Sequence, residues 1–332
     1  MRGGAARVLN GLRSTRSGPC SGESLSNDLG VSRAQIWKHV ETLRTRGYEI
    51  AGEPGGGYRL VATPDRLYPE EIDAGLETRW LGRRIEYREV VDSTNRLAFE
   101  LGRGGAPAGT AVIAEQQTAG RGRLGRSFFS PPGLNLYTSI LLRPQVTTAD
   151  APTLIHAAAV GCAEAIAEAV SDPNAVEIKW PNDVLLDGLK TSGILMEINA
   201  EATRVEFAVL GIGVNLNVAR EDLPEEFRHR ATSLSSHRGQ EVNRVAFTQR
   251  LYCILESVLE AHSEGGFAAI RERYEARFRM VGRRVRVIGL KGDEMAGVAT
   301  GVAADGALLI DRDGGGSERV IAGDVTLAKE TA

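Results

Sequence analysis

The segment KWPNDVLLDGLKTSGIL, residues 179–195, predicts a β-hairpin at the centre of the fold. Two short apolar runs, DVLL (183–186) and SGILMEI (192–198), are bounded by polar residues and glycines, which is typical of buried strands. The Asp-Gly pair at 187–188 favours a tight turn between apolar neighbours. The hairpin therefore carries Lys190 just past its tip.

Segments on both sides of this hairpin predict further strands of one sheet. The strand candidates are TAVIAE (110–115), LNLYTSILL (134–142), AVEIKW (175–180) and VEFAVLGIGVN (205–215). Helices are expected at about residues 94–101, 151–170 and 244–261. The mixture predicts an α+β fold with one large mixed sheet and helices on a face. From about residue 278, short apolar runs alternate with glycine turns, which predicts a small separate β-barrel.

Composition limits the class of protein. The chain has 332 residues, 42% of them hydrophobic, which is enough for two or three domains. Its three cysteines, Cys20, Cys162 and Cys253, are widely spaced, so neither a disulfide framework nor a zinc site is indicated and a reducing cytoplasm is expected. The longest apolar stretch (154–170) carries His156, Glu164 and Glu168. We therefore expect a buried helix there, no membrane span and no secretion signal.

The N-terminal region differs from the rest in charge. Residues 1–62 hold 9 Lys and Arg against 5 Asp and Glu, although the whole chain has a net charge of −3. This asymmetry favours a module that faces a polyanion. A short helix ending at Gly30 precedes a longer one capped by Ser32, and this spacing predicts a helix-turn-helix.

The second helix of this motif has one apolar face, formed by Ile36, Val40 and Leu43. The segment YEIAGEPGGGYRL (48–60) then predicts two strands around a Gly/Pro turn, the layout of a wing. A three-helix protein-interaction module is the alternative to DNA binding, and the positive charge and the wing favour DNA. The candidate DNA contacts are Ser32, Arg33, Gln35, Lys38 and His39.

The segment GRGRLGRSFF, residues 120–129, predicts a mobile basic loop. Three glycines and three arginines exclude a core strand or helix, because the arginines would be buried without partners. Glycine lets backbone N–H groups turn toward an anion, and arginine offers bidentate donors to a carboxylate or phosphate. The loop is therefore a candidate lid over an anionic ligand.

Four polar clusters lie at strand ends in a fixed order: DSTN (92–95), the stretch from Glu115 to Phe129, the stretch from Lys179 to Leu195, and GIGVN (211–215). Together with the leading winged helix and the trailing small barrel, they resemble the bifunctional biotin protein ligase and biotin operon repressor family. The resemblance runs from about residue 5 to residue 328. The separation of the GRG and KWPND blocks, followed by Lys-x-x-Gly-Ile-Leu, is its most specific part.

The resemblance implies an α+β chain of three domains: a winged helix-turn-helix (1–63), a biotin/lipoate ligase-like catalytic domain with a mixed sheet (64–277) and an SH3-like barrel (278–332). It implies an ATP-dependent ligase that forms biotinyl-5'-AMP and transfers biotin to a lysine of biotin carboxyl carrier protein. Arg121, Arg123 and Lys190 match its catalytic positions. The biotin site matches these three residues together with Ser93, Thr94, Asn95, Gln117 and Gly122.

The nucleotide side of the site is also carried over from the family. The positions that match ATP or adenylate contacts are Arg126, Phe128, Asn182, Asp183 and Asn215, with Mg²⁺ expected at Asp183. The chain departs from the family at two loop positions, with Phe128 in place of a tryptophan that stacks on adenine and Leu124 in place of a basic residue. The chain contains no P-loop motif, so ATP is not expected to be held in that way.

The resemblance further implies that bound biotinyl-5'-AMP promotes a homodimer, which binds operator DNA and represses transcription. Ligation and repression would then compete for one intermediate. Two alternatives remain open from the sequence. One is a ligand-sensing winged-helix transcription factor without catalysis, although Arg121, Arg123 and Lys190 are all retained. The other is a lipoate ligase of the same broad fold.

Overall fold

The computed structural model describes residues 3–14, 18–53, 56–289 and 293–327. The chain divides into two compact units, residues 1–66 and 67–332. Among the described residues, no helix has both the length and the apolar content needed to cross a lipid bilayer.

The first unit is a helix-turn-helix followed by a hairpin. It contains α1 (Gly4–Ser14), α2 (Gly22–Leu29), α3 (Arg33–Thr45) and the antiparallel strands β1 (Glu49–Glu53) and β2 (Gly57–Ala62). Gly30 ends α2 with a left-handed conformation (φ 66°), and Ser32 caps α3, as the sequence predicts. Ile36, Val40 and Leu43 are fully buried. Part of the predicted wing turn, residues 54–55, lies outside the described residues.

The second unit is built on a seven-stranded mixed sheet. Its strands are β3 (Arg84–Val91), β4 (Thr110–Gln117), β5 (Leu136–Leu142), β6 (Val176–Lys179), β7 (Asp183–Leu186), β8 (Leu189–Glu201) and β9 (Arg204–Val214). Their spatial order is β3-β4-β5-β9-β8-β7-β6, with β3 and β4 parallel and every other pair antiparallel. The predicted hairpin is formed by β7 and β8, and Asp187 and Gly188 in its turn have φ of 51° and 74°.

Helices cover both faces of this sheet. The helices of this unit are α4 (Pro69–Asp73), α5 (Thr94–Arg103), α6 (Thr153–Ala169), α7 (Leu234–Arg238) and α8 (Arg244–Glu275). The main core lies between the sheet and the pair α6 and α8, while α5 packs with Val112, Leu141 and Val209 on the opposite face. The expectation of helices on one face is therefore too simple. Successive side chains of a strand point to opposite faces of the sheet. Neighbouring residues of β4, β5 and β9 therefore belong to different apolar clusters, and both faces need a covering helix.

The C-terminal part of the second unit is a five-stranded antiparallel sheet. Its strands are β10 (Arg284–Ile288), β11 (Glu294–Val302), β12 (Leu308–Arg312), β13 (Ser317–Val320) and β14 (Asp324–Leu327), in the order β13-β12-β11-β10-β14. Its turn at Gly306 packs on the central domain, where His156 Nε2 and Trp180 Nε1 lie 3.0 and 2.9 Å from the Gly306 carbonyl oxygen. The predicted α+β class, with an N-terminal helix-turn-helix and a mixed sheet, is confirmed, and the region predicted as a small barrel is this five-stranded antiparallel sheet.

Candidate active site

One cavity of about 720 Å³ in the second unit collects most of the residues that the sequence singles out. It opens where the hairpin of β7 and β8, the start of α5, the loop 120–129 and the start of β14 meet. Twelve predicted site residues line it: Ser93, Thr94, Asn95, Gln117, Arg121, Gly122, Arg123, Arg126, Phe128, Asn182, Asp183 and Lys190.

One end of the cavity is a buried network of neutral polar groups. The backbone N–H and the hydroxyl of Thr94 donate to Gln117 Oε1 at 2.9 and 3.0 Å, and Gln117 Nε2 donates to Ser130 Oγ at 3.0 Å. Ser93, Thr94 and Asn95 are each less than 5% exposed. The side chains of this network are neutral apart from Glu197, which accepts a hydrogen bond from Asn95, so the network suits a neutral ligand that both donates and accepts hydrogen bonds.

Asn95 is fixed in this network by several elements. Its Nδ2 donates to Leu195 O at 3.2 Å and to Glu197 Oε2 at 3.0 Å, and its Oδ1 lies 2.7 Å from Ser139 Oγ. A Cβ at Gly211 would collide with the Asn95 amide. Glycine at this position of GIGVN therefore makes room for the Asn95 side chain against β9.

The loop 120–129 is folded as a tight reversal over the cavity. Gly122 N donates to Arg126 O at 2.7 Å, and Phe128 N donates to Gly120 O at 2.9 Å. Leu124, at its tip, is 57% exposed and has a φ of 54°, a conformation that a residue other than glycine adopts at a cost. The loop thus projects its arginines from a short, internally bonded segment.

The three loop arginines have different partners. Arg121 Nη1 pairs with Glu197 Oε1 at 2.9 Å on the exposed side. Arg123 donates to Asn182 Oδ1 at 3.1 Å and to Gly323 O at 3.2 Å, and burial lowers its pKa below the ordinary value. Arg126 pairs with Asp324, and this hydrogen bond raises the pKa of Arg126. The C-terminal sheet therefore supplies acceptors for two of the loop cations.

Lys190 lies opposite the loop. Its Nζ is 2.6 Å from Asp183 Oδ1, across the β7–β8 pair. Its backbone N–H donates to Arg230 O at 2.8 Å, and its carbonyl accepts from Thr232 N at 2.9 Å. Two chain segments, β7 and residues 230–232, consequently hold the backbone of Lys190.

Phe128 forms an aromatic wall of the cavity. A Cβ at Gly213 would lie 2.6 Å from the Phe128 ring, and one at Gly193 would lie 3.4 Å from it. The edge of its ring faces Tyr137, with centroids 6.4 Å apart. The second glycine of GIGVN therefore makes room for this ring, as Gly211 does for Asn95.

Asn215 does not line the cavity. Its side-chain amide donates to Thr232 O at 3.1 Å, and its backbone N–H donates to Thr191 O at 2.8 Å. Both bonds hold the segment after β9 beside the β7–β8 hairpin. Asn215 therefore supports the residues that line the cavity without lining it itself.

The segment between β9 and α7 contributes cavity residues that the sequence did not single out. Phe227 and Arg230 line the cavity, and the Arg230 guanidinium lies 5.3 Å from the centre of the Phe227 ring. A phenylalanine in the otherwise polar run PEEFRHR (224–230) was the available signal. Leu185, Asp324 and Val325 also belong to the lining, and Asp324 and Val325 come from β14.

The helix-turn-helix presents its five predicted DNA contacts unequally. Arg33 and Lys38 are exposed. Ser32 and Gln35 are also exposed, and they form the capping box of α3, with Gln35 N 3.2 Å from Ser32 Oγ and Ser32 N 2.9 Å from Gln35 Oε1. The ring of His39 lies against Gly4 of α1, where a Cβ would collide with it.

Three family models match the chain. They describe an HTH domain at residues 6–59, the Biotin/lipoate A/B protein ligase family at residues 87–215 and the Biotin protein ligase C terminal domain at residues 281–327. The bifunctional ligase/repressor BirA of Bacillus subtilis is 38% identical over 307 residues, covering 92% of this chain and 93% of the relative. The chain belongs to the bifunctional ligase/repressor family.

Other members and structures agree with this assignment. The bifunctional ligase/repressor BirA of Escherichia coli is 34% identical and covers 89% of this chain and 88% of the relative. The structure of a biotin protein ligase from Aquifex aeolicus in complex with biotin and ATP is 27% identical with a TM-score of 0.64, over 74% of this chain and 100% of that chain. In this family member the HTH model falls within the first compact unit and the two ligase models within the second.

Proposed function

We propose that the second unit is an ATP-dependent biotin protein ligase. It joins the biotin carboxylate to the α-phosphate of ATP, releases pyrophosphate, and passes biotin from biotinyl-5'-AMP to a lysine of biotin carboxyl carrier protein. The observation that carries this proposal is the convergence of twelve sequence-predicted residues on one cavity. The first unit is a biotin-responsive repressor module. The boundaries near residues 63 and 277 separate three functional domains.

The charge of the cavity suits the adenylation step. A carboxylate and a triphosphate repel each other, so the site has to supply cations where the two meet. Six cations line the cavity against three carboxylates, namely Lys179, Lys190, Arg121, Arg123, Arg126 and Arg230 against Asp183, Glu226 and Asp324. Arg121 and Arg123 from the loop and Lys190 from the hairpin act as the catalytic cations.

The two ends of the cavity bind different substrates. The neutral network of Thr94, Asn95 and Gln117 binds the ureido ring of biotin, which has both donors and acceptors. Phe128 stacks on adenine, and Arg126 binds phosphate after leaving Asp324. The opposed cations Arg123 and Lys190 then lie between the two substrates, beside the reacting carboxylate and α-phosphate.

The donor set around Asp183 fits a magnesium ion that is bound mainly by phosphate and water. Asp183 is partly exposed to the cavity, and Asn182 directly precedes it. One carboxylate and phosphate oxygens are ordinary Mg²⁺ ligands. No cluster of three or more His, Cys, Asp or Glu residues in the described part of the chain suits a metal. Asp183 would be the side chain that holds the ion, and the ion would supply positive charge that offsets the charge of the phosphates.

The ligand state of the ligase unit controls repression through a homodimer. Strand β8 pairs with β7 only as far as Gly193. From there to Glu201, within the described residues, β8 pairs with β9 on one side and with no strand on the other. This open edge can pair with the same edge of a second copy. A dimer places two helix-turn-helix units on a two-part operator. The free cysteines Cys20, Cys162 and Cys253 agree with a cytoplasmic protein.

The test of the ligase is exchange of labelled pyrophosphate into ATP by the purified chain. Biotin, lipoate and no acid are compared in parallel. We expect exchange with biotin alone, because the neutral network matches a ureido group. Exchange only with lipoate would make the chain a lipoate ligase. No exchange with either acid, together with binding of biotin, would make it a ligand-sensing regulator without catalysis.

A further inference from the structure

A large apolar side chain stands on the exposed side of the recognition helix α3. Trp37 is 53% exposed there, whereas its neighbours Ile36 and Val40 are fully buried. The site residues derived from the sequence do not include it. An exposed tryptophan on a folded unit is a strong candidate for a contact surface, because it brings a large apolar area with few rotatable bonds.

The position of Trp37 on α3 follows from helix geometry. The face opposite the buried residues is centred on Ala34 and Lys38, and Trp37 lies about 100° from Ile36, on the flank of that face. Ala34 is exposed and small. A partner can therefore approach the α3 backbone closely at Ala34 and meet the Trp37 ring beside it.

The charge around Trp37 selects an anionic partner. Arg33 and Lys38 are exposed on either side of it along the helix. The only acid of α3, Glu41, pairs with Arg44 at 2.6 Å. The N-terminal end of α3 also carries the positive end of the helix dipole. The surface thus combines cations with one large apolar group.

Duplex DNA offers that combination in its major groove. The groove accepts an α-helix, its rims are phosphates, and the C5-methyl group of thymine is the apolar group on its floor. Of the five contacts predicted from sequence, Ser32 and Gln35 are engaged in the helix cap and His39 packs on α1. Trp37 adds to these polar contacts the large apolar surface that none of them supplies.

We propose that Trp37 is a specificity-determining residue that packs on the C5-methyl group of a thymine in the major groove, while Arg33 and Lys38 bind the DNA backbone. This inference rests on the proposed repressor function, and it names the base feature that the repressor reads. Arg33 and Lys38 supply affinity for any duplex, and Trp37 supplies preference for thymine at one position of each half-site.

The experiment uses the full chain with biotin and ATP. Duplexes of about 40 base pairs, long enough for two half-sites, are selected from a random pool, and the enriched duplex is the probe. Each thymine of the probe is then replaced in turn by uracil, which removes only the methyl group. We expect one position per half-site where uracil weakens wild-type binding by about fourfold, the value of one buried methyl group.

The variant Trp37→Ala should bind the probe more weakly and should no longer distinguish thymine from uracil at that position. The slope of its affinity against salt concentration should be unchanged, whereas Lys38→Ala should reduce this slope by about one. Trp37→Phe keeps an aromatic ring and should retain part of the discrimination. Val90→Ala removes a similarly exposed apolar side chain (50%) from β3 in the second unit and should bind as the wild type does.

The outcomes distinguish a wrong assignment of Trp37 from a wrong repressor function. If Trp37→Ala keeps the wild-type response to uracil at every thymine, the inference is overturned while the repressor function stands. If no duplex is enriched over the random pool, the repressor function fails and the inference fails with it. If Val90→Ala weakens binding as much as Trp37→Ala, the loss follows removal of any exposed apolar side chain and the assignment to Trp37 is wrong.

Discussion

At the scale of single residues, Lys190 carries the largest share of the proposed chemistry. Its Nζ rests 2.6 Å from Asp183 Oδ1, so the cation is held beside a carboxylate until a substrate phosphate competes for it. We predict that Lys190→Ala lowers adenylate formation by more than about 100-fold, because it removes a charge contact in the transition state. The measurement is pyrophosphate exchange at saturating biotin and ATP.

The control for Lys190 is the variant Lys190→Arg, which keeps the charge and changes its geometry. It should recover part of the lost rate. Both variants should unfold at the same denaturant concentration as the wild type, since Lys190 is partly exposed. Near-normal exchange in Lys190→Ala with unchanged stability would remove Lys190 from the catalytic assignment.

Phe128 tests the nucleotide side of the cavity. Its ring packs beside Gly213, where a Cβ would collide with it. We predict that Phe128→Ala raises the KM for ATP more than the KM for biotin, because the variant loses adenine stacking. Steady-state exchange rates at varied ATP and varied biotin measure the two constants. An equal rise in both would mean that the ring supports the loop instead of the nucleotide.

At the scale of elements, His156 links helix α6 to the C-terminal sheet. It is 3% exposed, and its Nε2 lies 3.0 Å from the Gly306 carbonyl oxygen. Burial lowers its pKa from 6.5 to about 4. Below pH 6.5 the unfolded chain binds a proton that the folded chain does not, so the free energy of unfolding falls as the pH falls from 6.5 toward 4.

We predict that this titration contributes up to about 1.4 kcal/mol per pH unit to the slope of unfolding free energy in that window. Urea unfolding of the full chain between pH 4 and 7.5 measures the slope. The variant His156→Gln has no such titration, and it should show a shallower slope even if it is less stable throughout. Identical slopes for the two chains would contradict a buried, neutral His156.

The elements could be predicted from sequence where burial follows a clear period. The β7–β8 hairpin, the helix cap at Ser32 and the buried helix α6 were all expected from local patterns. Strand β3 was not predicted. It lies at the edge of the sheet, and its charged residues remain exposed or half-buried, so its sequence shows no buried apolar run. Helix α8 is also longer than expected, since it continues through a break at Gly266.

The same limit applies to the site. The strand-end motifs predicted twelve lining residues, because each lies in a local block with its own pattern. The contribution of β14 could not be predicted. Asp324 lies 198 positions after its partner Arg126, and only tertiary packing brings the two together. Tertiary packing also places the ring of His39 against α1, a contact that the local pattern of α3 could not predict.

At the scale of the whole molecule, the chain has two compact units. The excess of basic residues lies in the first unit, and the second unit is acidic. Leu67 begins the second unit, is fully buried, and donates its N–H to Glu115 Oε1 at 2.8 Å. A truncation before this residue should therefore leave the ligase core intact. We predict that removing residues 1–62 abolishes selective operator binding while biotin-dependent pyrophosphate exchange persists.

Electrophoretic mobility shifts with the selected duplex, in parallel with exchange assays, measure both activities of the truncated chain. The full-length chain is the control for each. Selective binding of the operator by the truncated chain would mean that the ligase unit itself reads DNA. Loss of exchange in a chain that still unfolds cooperatively would mean that the first unit is needed for catalysis.

In the proposed function, the cavity makes and holds one intermediate that serves both ligation and repression. The most direct measurement mixes the full chain with biotin and ATP labelled at the α-phosphate, removes free nucleotide, and follows the bound label. We expect the AMP label to stay with the protein only when biotin is present, and to leave as AMP when biotin carboxyl carrier protein is added and becomes biotinylated. Label that is retained equally without biotin, or that does not leave when the acceptor is added, would contradict it.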